Sequence, residues 1–416
     1  MCNLFKKIVR FLWLASLSSC LAMADENSLS IDEALTLAIN HPTIETKRNE
    51  YKGAFERLEG SKWQRFPFVS VMSSAGQSSP LKNSSEVVTT LRVEQPLWTG
   101  GRITGAIDSA RARLGASESA INEVEQDVLI KTSYAFFNIL KLQSKIETSK
   151  ESILEHQRLL ELIERKSRAE ISPMNEIIFA KARLDQAKTE NIQLQTLLSN
   201  SRADLESYTS KSIKGLKVPR ISLAMPNDLD SAIREAISYS PTLKRLAFES
   251  NAAEADIDVA KSGLWPQLSA RSDEIFGGVI PGNTTYLALT YTPGNGLSSL
   301  SAAKEAATKK EVVESNIKSM QLEIGNKIRS DWNEYHSNLK QAEVQTNLAE
   351  TTRGVYESYV RQYDAGKKTW VEVLNAKKEA TQAKYNLADC EWNSYIAGLR
   401  LQVYTGLLTA SSTPTK

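Results

Sequence analysis

The stretch of sequence that decides the fold is residues 86–102, which read EVVTTLRVEQPLWTGGR. Side chains of a β-strand alternate between its two faces, and the first part of this stretch alternates in the same way. One face carries Val87, Thr89, Leu91 and Val93, and the other carries Val88, Thr90, Arg92 and Glu94. A strand of about nine to ten residues with one apolar face has the length of a tilted strand that crosses a membrane.

A second stretch, residues 284–292, shows the same alternation. One face carries Leu287, Leu289 and Tyr291, and the other carries Tyr286, Ala288, Thr290 and Thr292. Each strand follows a weaker, more polar one, at 69–78 and 267–276, across loops at 79–85 and 277–283. The sequence therefore predicts two β-hairpins, although the pattern alone also fits two surface hairpins on a helical protein.

Four membrane strands are too few to close a barrel within one chain. Lipid offers no hydrogen-bond partner to the backbone, so only a closed barrel is stable there. The smallest usual bacterial barrel has about eight strands. Several chains would have to share strands: two would give roughly eight around a filled interior, and three about twelve around a conduit.

The chain contains the same order of segments twice. Pro42 and Pro67 in the first half are 25 residues apart, as are Pro241 and Pro266 in the second, and residues 169–176 align without gaps with 365–372. Such duplication indicates two copies of one structural unit. The predicted helices cover 31–40, 43–65, 102–168 and 175–211 in the first half, and 228–239, 242–264, 297–364 and 370–407 in the second.

The duplication predicts how the chain is organised. Residues 1–24 form a signal peptide, 25–211 the first structural repeat, 212–226 a linker rich in turn residues, 227–407 the second repeat, and 408–416 a C-terminal tail. The hairpins fall at about 67–98 and 266–293, and helical tips at about 169–175 and 365–370.

The long helices indicate a coiled coil rather than a compact domain. Residues 116–172 contain neither Gly nor Pro, and a helix of about 66 residues would run roughly 100 Å. Apolar residues recur at spacings of three and four along both long helices, which is typical of a packed seam. We therefore expect a mainly α protein, with a long antiparallel coiled coil and four β-strands per chain.

The N-terminus has the features of an export signal. Three basic residues precede an apolar run at residues 11–15, and residues 22–24, AMA, form a small-x-small cleavage site. Residues 17–20, LSSC, also fit a lipoprotein signal in which Cys20 would be lipidated. A retained membrane anchor is the third alternative.

Composition argues against several classes of function. The 51 basic and 49 acidic residues leave a net charge of +2, which is not the basic field of a nucleic-acid-binding protein. Three Cys and three His are too few for a disulfide scaffold or a metal cluster of these residues. The sequence has no catalytic or phosphate-binding motif, so we expect no enzymatic activity, no cofactor and no metal site.

Together these features resemble the TolC family of outer-membrane channels. The resemblance covers nearly all of the mature chain. It rests on the duplicated layout, on residues 95–102 (QPLWTGGR) leading into the first long helix, and on the paired tips. Residues 163–173, IERKSRAEISP, are most similar to the subgroup that exports large adhesins.

This resemblance implies a homotrimer with a twelve-stranded membrane β-barrel and a helical tunnel in the periplasm. It implies a passive exit duct for type I protein secretion, with a large adhesin as cargo, or alternatively for efflux of small molecules. The implied partners are a periplasmic adaptor (membrane fusion) protein, an inner-membrane ABC transporter or RND pump, and outer-membrane lipid. A non-conducting periplasmic coiled-coil scaffold is the alternative from another class.

The resemblance also assigns roles to residues at the helix tips. Glu372 takes the place of an acid in the entrance ring, and Asn375 stands where some members have a second acid. Lys368 and Tyr363 take the places of two residues that bond an acid, here Glu176, in the closed tunnel. Three copies of Glu372 would form a ring of negative charge that favours cations.

The same tips would contact the adaptor. The residues concerned are Ala169, Glu170, Ile171, Ser172, Ala365, Gly366 and Lys367. At the opposite end of the long helix, Trp98 would lie at the lipid–water boundary or pack beneath it.

Overall fold

The computed structural model of the chain describes residues 28–77, 85–169, 173–219, 225–277 and 281–408. The predicted signal peptide with Cys20, the tip residues Glu170, Ile171 and Ser172, and the tail beyond residue 408 lie outside these ranges. Their predictions therefore stay predictions.

The described residues form eight α-helices. They are α1 (Ile31–Ala38), α2 (Pro42–Trp63), α3 (Arg102–Arg168), α4 (Met174–Thr209), α5 (Leu229–Tyr239), α6 (Pro241–Lys261), α7 (Ser298–Asp364) and α8 (Trp370–Thr405). Helices α3 and α7 are both 67 residues long, and each predicted helix ends within three residues of the observed one. The mainly helical fold class is confirmed. Among the helices that the structure describes, none is both long and apolar enough to cross a membrane.

Local sequence explains where helices begin and end. In α1 the Ser30 hydroxyl accepts a hydrogen bond from the Glu33 N–H at 3.2 Å, and the Glu33 carboxylate accepts one from the Ser30 N–H at 3.0 Å. Thr369 and Glu372 form the same capping box at the start of α8. These reciprocal bonds satisfy backbone donors that a helix start leaves unpaired. Helix α8 ends at Thr405, and the next residue, Gly406, has a φ of 77°, which suits a residue without a Cβ.

Four of the six strands in the described residues form one antiparallel sheet. Strands β2 (Phe68–Gln77), β3 (Ser85–Trp98), β5 (Gln267–Phe276) and β6 (Gly282–Thr290) lie in the order β2-β3-β5-β6. The predicted hairpins are confirmed, and β3 joins them by pairing with β5. The register of β3 and β5 shifts between Pro96 and Trp98, where proline has no N–H to donate to the ladder.

The predicted linker contains a strand that the sequence did not indicate. Strand β4 (Gly215–Leu216) pairs in parallel with β1 (Ser28–Leu29), with Ser28 opposite Gly215. Two-residue strands carry no readable alternation, because a period of two needs several residues to appear. This pairing connects the start of the described chain to the segment between the two repeats.

The chain divides into two compact units. The first comprises the described residues up to His41, Glu125–Tyr239 and the described residues from Asn326 onward, and the second comprises Pro42–Val124 and Ser240–Gly325. Each unit therefore takes segments from both halves of the sequence. The four-stranded sheet belongs to the second unit, together with a small core of Leu58, Ile103, Ile107 and Ala110.

The core of the first unit is rich in aromatic rings. Phe137 is 0% exposed, stacks on Tyr395 with ring centroids 5.7 Å apart, and meets Phe136 edge-on at 5.6 Å. Leu205 and Ile396 from α4 and α8 belong to the same cluster. Because these rings come from helices far apart in sequence, their burial holds the helices of this unit together.

We expect Phe137→Ala to lower the free energy of unfolding by about 3–5 kcal/mol, because it removes a fully buried ring and leaves a cavity. Phe55→Ala, at a ring that is 44% exposed on α2, is the matched control and should change it by less than about 0.5 kcal/mol. Denaturant unfolding of the purified protein in detergent, followed by tryptophan fluorescence, measures both. Equal effects of the two substitutions would contradict this account of the core.

Candidate functional site

The two faces of the four-stranded sheet differ in chemistry. Paired residues share a face, so Val71 opposite Leu91 and Leu268 opposite Leu289 lie on one side. Val71 and Leu289 are 68% and 70% exposed. A sheet face with several large exposed apolar side chains indicates contact with lipid or with protein.

The other face carries an interlocked set of charges. Arg92 Nε and Nη2 donate to the two carboxylate oxygens of Asp273 at 2.7 and 2.9 Å, and Arg271 Nη2 donates to Glu94 Oε1 at 3.0 Å. The Tyr286 hydroxyl donates to Asp273 at 3.1 Å. The members of each ion pair are directly opposite each other in the β3–β5 register, so the charges on this face balance. Phe68 and Met72 of β2 lie on the same face.

Alternation in the sequence predicts that Arg92 and Glu94 share one face of β3, but it does not identify their partners. The signal was present in residues 92–94, RVE, and 271–273, RSD. When two basic–x–acidic triplets lie on neighbouring antiparallel strands, the basic residue of each triplet is opposite the acidic residue of the other. Both charges of each triplet are then paired. Knowledge that β3 pairs with β5 was needed to use it.

Aromatic residues mark the ends of the four strands that adjoin helices. We call Trp63, Phe66, Trp98, Trp265 and Tyr291 the aromatic belt; all five are exposed. Trp98 and Trp265 meet edge-on with ring centroids 6.5 Å apart. Amphipathic rings of this kind concentrate where a membrane meets water. That boundary is also the position predicted for Trp98, and the aromatic belt has a residue beside each of the four strands.

The second candidate region is the helix-end cluster, where α3 and α7 end and α4 and α8 begin. The Tyr363 hydroxyl lies 3.4 Å from Glu176 Oε2, which is the contact that the resemblance implied. Lys166 Nζ lies 4.0 Å from the centre of the Tyr363 ring and 3.2 Å from Asp364 Oδ1. The ammonium of α3 thus contacts both a π-face and a carboxylate of α7.

The resemblance implied a bond between Lys368 and Glu176, but in this structure Lys368 has a different partner. Lys368 Nζ instead donates to Glu372 Oε1 at 2.7 Å and lies 4.4 Å from the Tyr359 ring centre. Glu372 follows Lys368 by four residues at a helix start, so the local pair forms without bringing two helices together. The inter-helix contacts of the cluster come from Tyr363 and Lys166.

The remaining tip residues lie in or near the turns. Ala365, Gly366 and Lys367 follow α7, where the Gly366 N–H donates to the Tyr363 carbonyl at 3.0 Å and Gly366 has a φ of 73°. Ala169 follows α3, and Asn375 is exposed and uncharged on α8. The acid ring would therefore draw on Glu372 and not on residue 375.

An apolar cluster lies directly behind these polar contacts. Trp370 is 1% exposed and packs on Tyr363 with ring centroids 5.3 Å apart. Leu159 and Ile163 from α3 and Ala180 from α4 complete the contact with α7 and α8. No role at the helix ends was predicted for Trp370 or Lys166, because the roles predicted here came only from the resemblance.

Hydrogen bonding stabilises the ionised form of Glu372. The bond from Lys368, followed by the bonds from the Thr369 backbone N–H and hydroxyl, lowers the pKa of Glu372 from 4.5 to about 2. The same bond raises the pKa of Lys368. Glu372 is therefore ionised throughout the physiological range. No three His, Cys, Asp or Glu side chains within the described ranges come together as a metal site.

Comparison with known proteins gives a consistent result. A family model described as "Outer membrane efflux protein" matches residues 36–210 and 232–407, once in each half of the chain. The outer membrane protein TolC of Vibrio cholerae is 18% identical over 392 residues, covering 89% of both chains. TolC of Escherichia coli K12 is 19% identical over 434 residues, covering 97% of this chain and 87% of the relative.

Solved structures share the fold. A crystal structure of CusC superposes with a TM-score of 0.79 at 15% identity and covers 90% of this chain and 91% of that one. The outer membrane protein VceC of Vibrio cholerae superposes with a TM-score of 0.77 at 13% identity, covering 90% and 96%. At this identity the likeness shows the arrangement of helices and strands.

We expect Lys368→Gln to raise the pKa of Glu372 from about 2 toward its ordinary value of 4.5, because the largest stabilisation of the carboxylate is removed. In the unaltered protein the Lys368–Glu372 pair is present above pH 4.5 and is lost as the pH falls through about 2. Carboxyl-carbon NMR of labelled glutamate, with the Glu372 signal assigned by Glu372→Gln, measures the shift.

Lys378→Gln, at an exposed lysine on the same helix, is the control and should leave the Glu372 titration unchanged. An unaltered Glu372 titration in Lys368→Gln would show that the pair described above does not set its charge.

Proposed function

Because the chain belongs to the outer membrane efflux protein family, whose channels form homotrimers and work with adaptor and inner-membrane pump partners, we propose that three copies of it pool their sheets into one twelve-stranded barrel. The barrel would be the outer-membrane part of a passive export duct. The helices would extend it into the periplasm.

The observation that carries the proposal is the open, two-faced sheet. Among the described strands, β2 and β6 each have one partner, so each has an unpaired outer edge. In hydrocarbon, an unpaired backbone N–H or C=O costs several kcal/mol. Pairing the β6 edge of one copy with the β2 edge of the next satisfies both edges, and three copies close the ring.

Both faces of the sheet suit such a barrel. The face with Val71 and Leu289 would meet lipid, and the face with the Arg92–Asp273 and Glu94–Arg271 pairs would line a water-filled interior. Membrane barrels alternate apolar-out and polar-in in this way. The aromatic belt would then lie at the boundary nearest the helices.

The helix-end cluster would form the periplasmic entrance. Three copies of Glu372, each ionised at physiological pH, would place a ring of acidic side chains there. The contact of Tyr363 with Glu176 would tie α7 to α4 beside that ring. The tip turns, including Ala169 and residues 365–367, would meet the adaptor. An inner-membrane ABC transporter or RND pump would supply energy, and the chain itself would do no chemistry.

The cargo we propose is a protein, exported by type I secretion. Support comes from residues 163–173, which resemble the adhesin-exporting subgroup. The second candidate is efflux of small molecules, which the description of the matching family favours. The two candidates share the duct and differ in the pump behind it.

In planar bilayers we expect the purified protein to conduct ions and to be blocked by a multivalent cation added on the helix side. Glu372→Gln should weaken that block by roughly tenfold or more, because it removes three clustered charges from the trimer. Glu379→Gln, an exposed acid seven residues further along α8, should leave the block unchanged. A complete lack of conductance would favour the scaffold alternative.

Deleting the gene should abolish surface display of a large adhesin if the cargo is a protein, and should raise drug sensitivity if the cargo is small molecules. Surface immunolabelling and growth inhibition measure the two outcomes. Complementation with the unaltered gene is the control. Unchanged results in both assays would contradict both export roles.

A further inference from the structure

A groove opens between the end of α6 and the start of α7, beside the aromatic belt. Its volume is about 710 Å³, and we call it the α6–α7 groove. It is lined by the apolar residues Ile257, Leu264, Trp265 and Leu300, by two alanines of α7, and by Lys261 and Lys304. All of these residues belong to the second compact unit.

The same place in the first half of the chain is filled. Aligning Pro96 with Pro293 sets Ile103 against Leu300 and Ile107 against Lys304. Ile107 is 1% exposed and packs with Leu58 and Ile103 in a closed core. A buried isoleucine in one repeat is thus replaced by an exposed lysine in the other, and the packed core becomes an open groove.

The charge of the groove has one sign. Lys261 and Lys304 are both exposed, and no ion pair joins either of them to another side chain in the part of the chain that the structure describes. Two nearby acids have other partners, since Glu305 pairs with Lys309 at 2.6 Å and Glu254 lies 3.6 Å from Lys310. Asp258 precedes Lys261 by three residues but does not line the groove. The lining of the groove therefore combines two positive charges with apolar side chains.

Trp265 belongs both to the groove and to the aromatic belt. It lies two residues before strand β5, and the exposed apolar face of the sheet begins beyond it. A molecule in the groove would thus contact the membrane boundary, an apolar wall and two ammonium groups together. An anionic phospholipid has the matching parts, a hydrocarbon chain and a negatively charged headgroup.

We propose that the α6–α7 groove binds one anionic glycerophospholipid per chain, with its phosphate at Lys261 and Lys304 and an acyl chain against Leu264, Trp265 and Leu300. The inference rests on the proposed function, because it needs the aromatic belt to lie at a membrane surface. It goes beyond that function by assigning a specific lipid site to the second repeat alone.

Native mass spectrometry of the full-length mature protein tests this, after release from bilayers of equal parts phosphatidylglycerol and phosphatidylcholine. We expect about one retained phosphatidylglycerol per chain, favoured over phosphatidylcholine by roughly tenfold. Lys261→Gln together with Lys304→Gln should remove the preference. Lys304→Ile, which restores the residue type of the first repeat, should fill the groove and reduce retention of both lipids.

Lys318→Gln together with Lys340→Gln, at exposed lysines of α7 outside the groove, should keep the preference of the unaltered protein. Equal retention of both lipids by the unaltered protein, or an unchanged preference in the Lys261/Lys304 variant, would overturn the lipid site. Dissociation of the trimer in that variant would also overturn it, and would identify the groove as a subunit contact. Failure of the unaltered protein to insert into bilayers would instead overturn the proposed function.

Discussion

The need to pair every backbone hydrogen-bonding group in hydrocarbon is the constraint on which the proposed assembly depends. Strands β2 and β6 present nine to ten residues each along an outer edge, and each group left unpaired in lipid costs several kcal/mol. Exposed ion pairs such as Lys368–Glu372 are worth only about 0–1 kcal/mol. Edge pairing therefore outweighs any side-chain contact in deciding that copies of the chain associate. Side chains decide which face meets lipid.

Much of this fold could be predicted because its elements are long and regular. Alternation over ten residues identified β3, and the absence of Gly and Pro from 116–172 indicated the helix that spans Arg102–Arg168. The pairing of β1 with β4 could not be predicted, because two residues contain no period. The joining of the hairpins through β3 and β5 is a contact between residues some 180 positions apart, which no local pattern specifies.

The candidate site was predicted less completely than the fold. Resemblance located Tyr363 and Glu176, which do contact each other. It paired Lys368 with the wrong acid, because a partner four residues away on the same helix needs no tertiary contact to form. The role of Lys166 could not be predicted, because its contacts are tertiary. Its contacts with Tyr363 and Asp364 form only when α3 and α7 end side by side.

The apolar cluster behind the helix-end contacts has a consequence for how this end could respond to temperature. Any separation of α3 and α4 from α7 and α8 would expose Trp370, Val373 and Ile163, which are at most 1% exposed. Burial of apolar surface weakens on cooling, unlike a directional hydrogen bond. Separation of the helices at this end would then be accompanied by a positive change in heat capacity. Cooling would weaken the association of the helices without altering the Tyr363–Glu176 hydrogen bond.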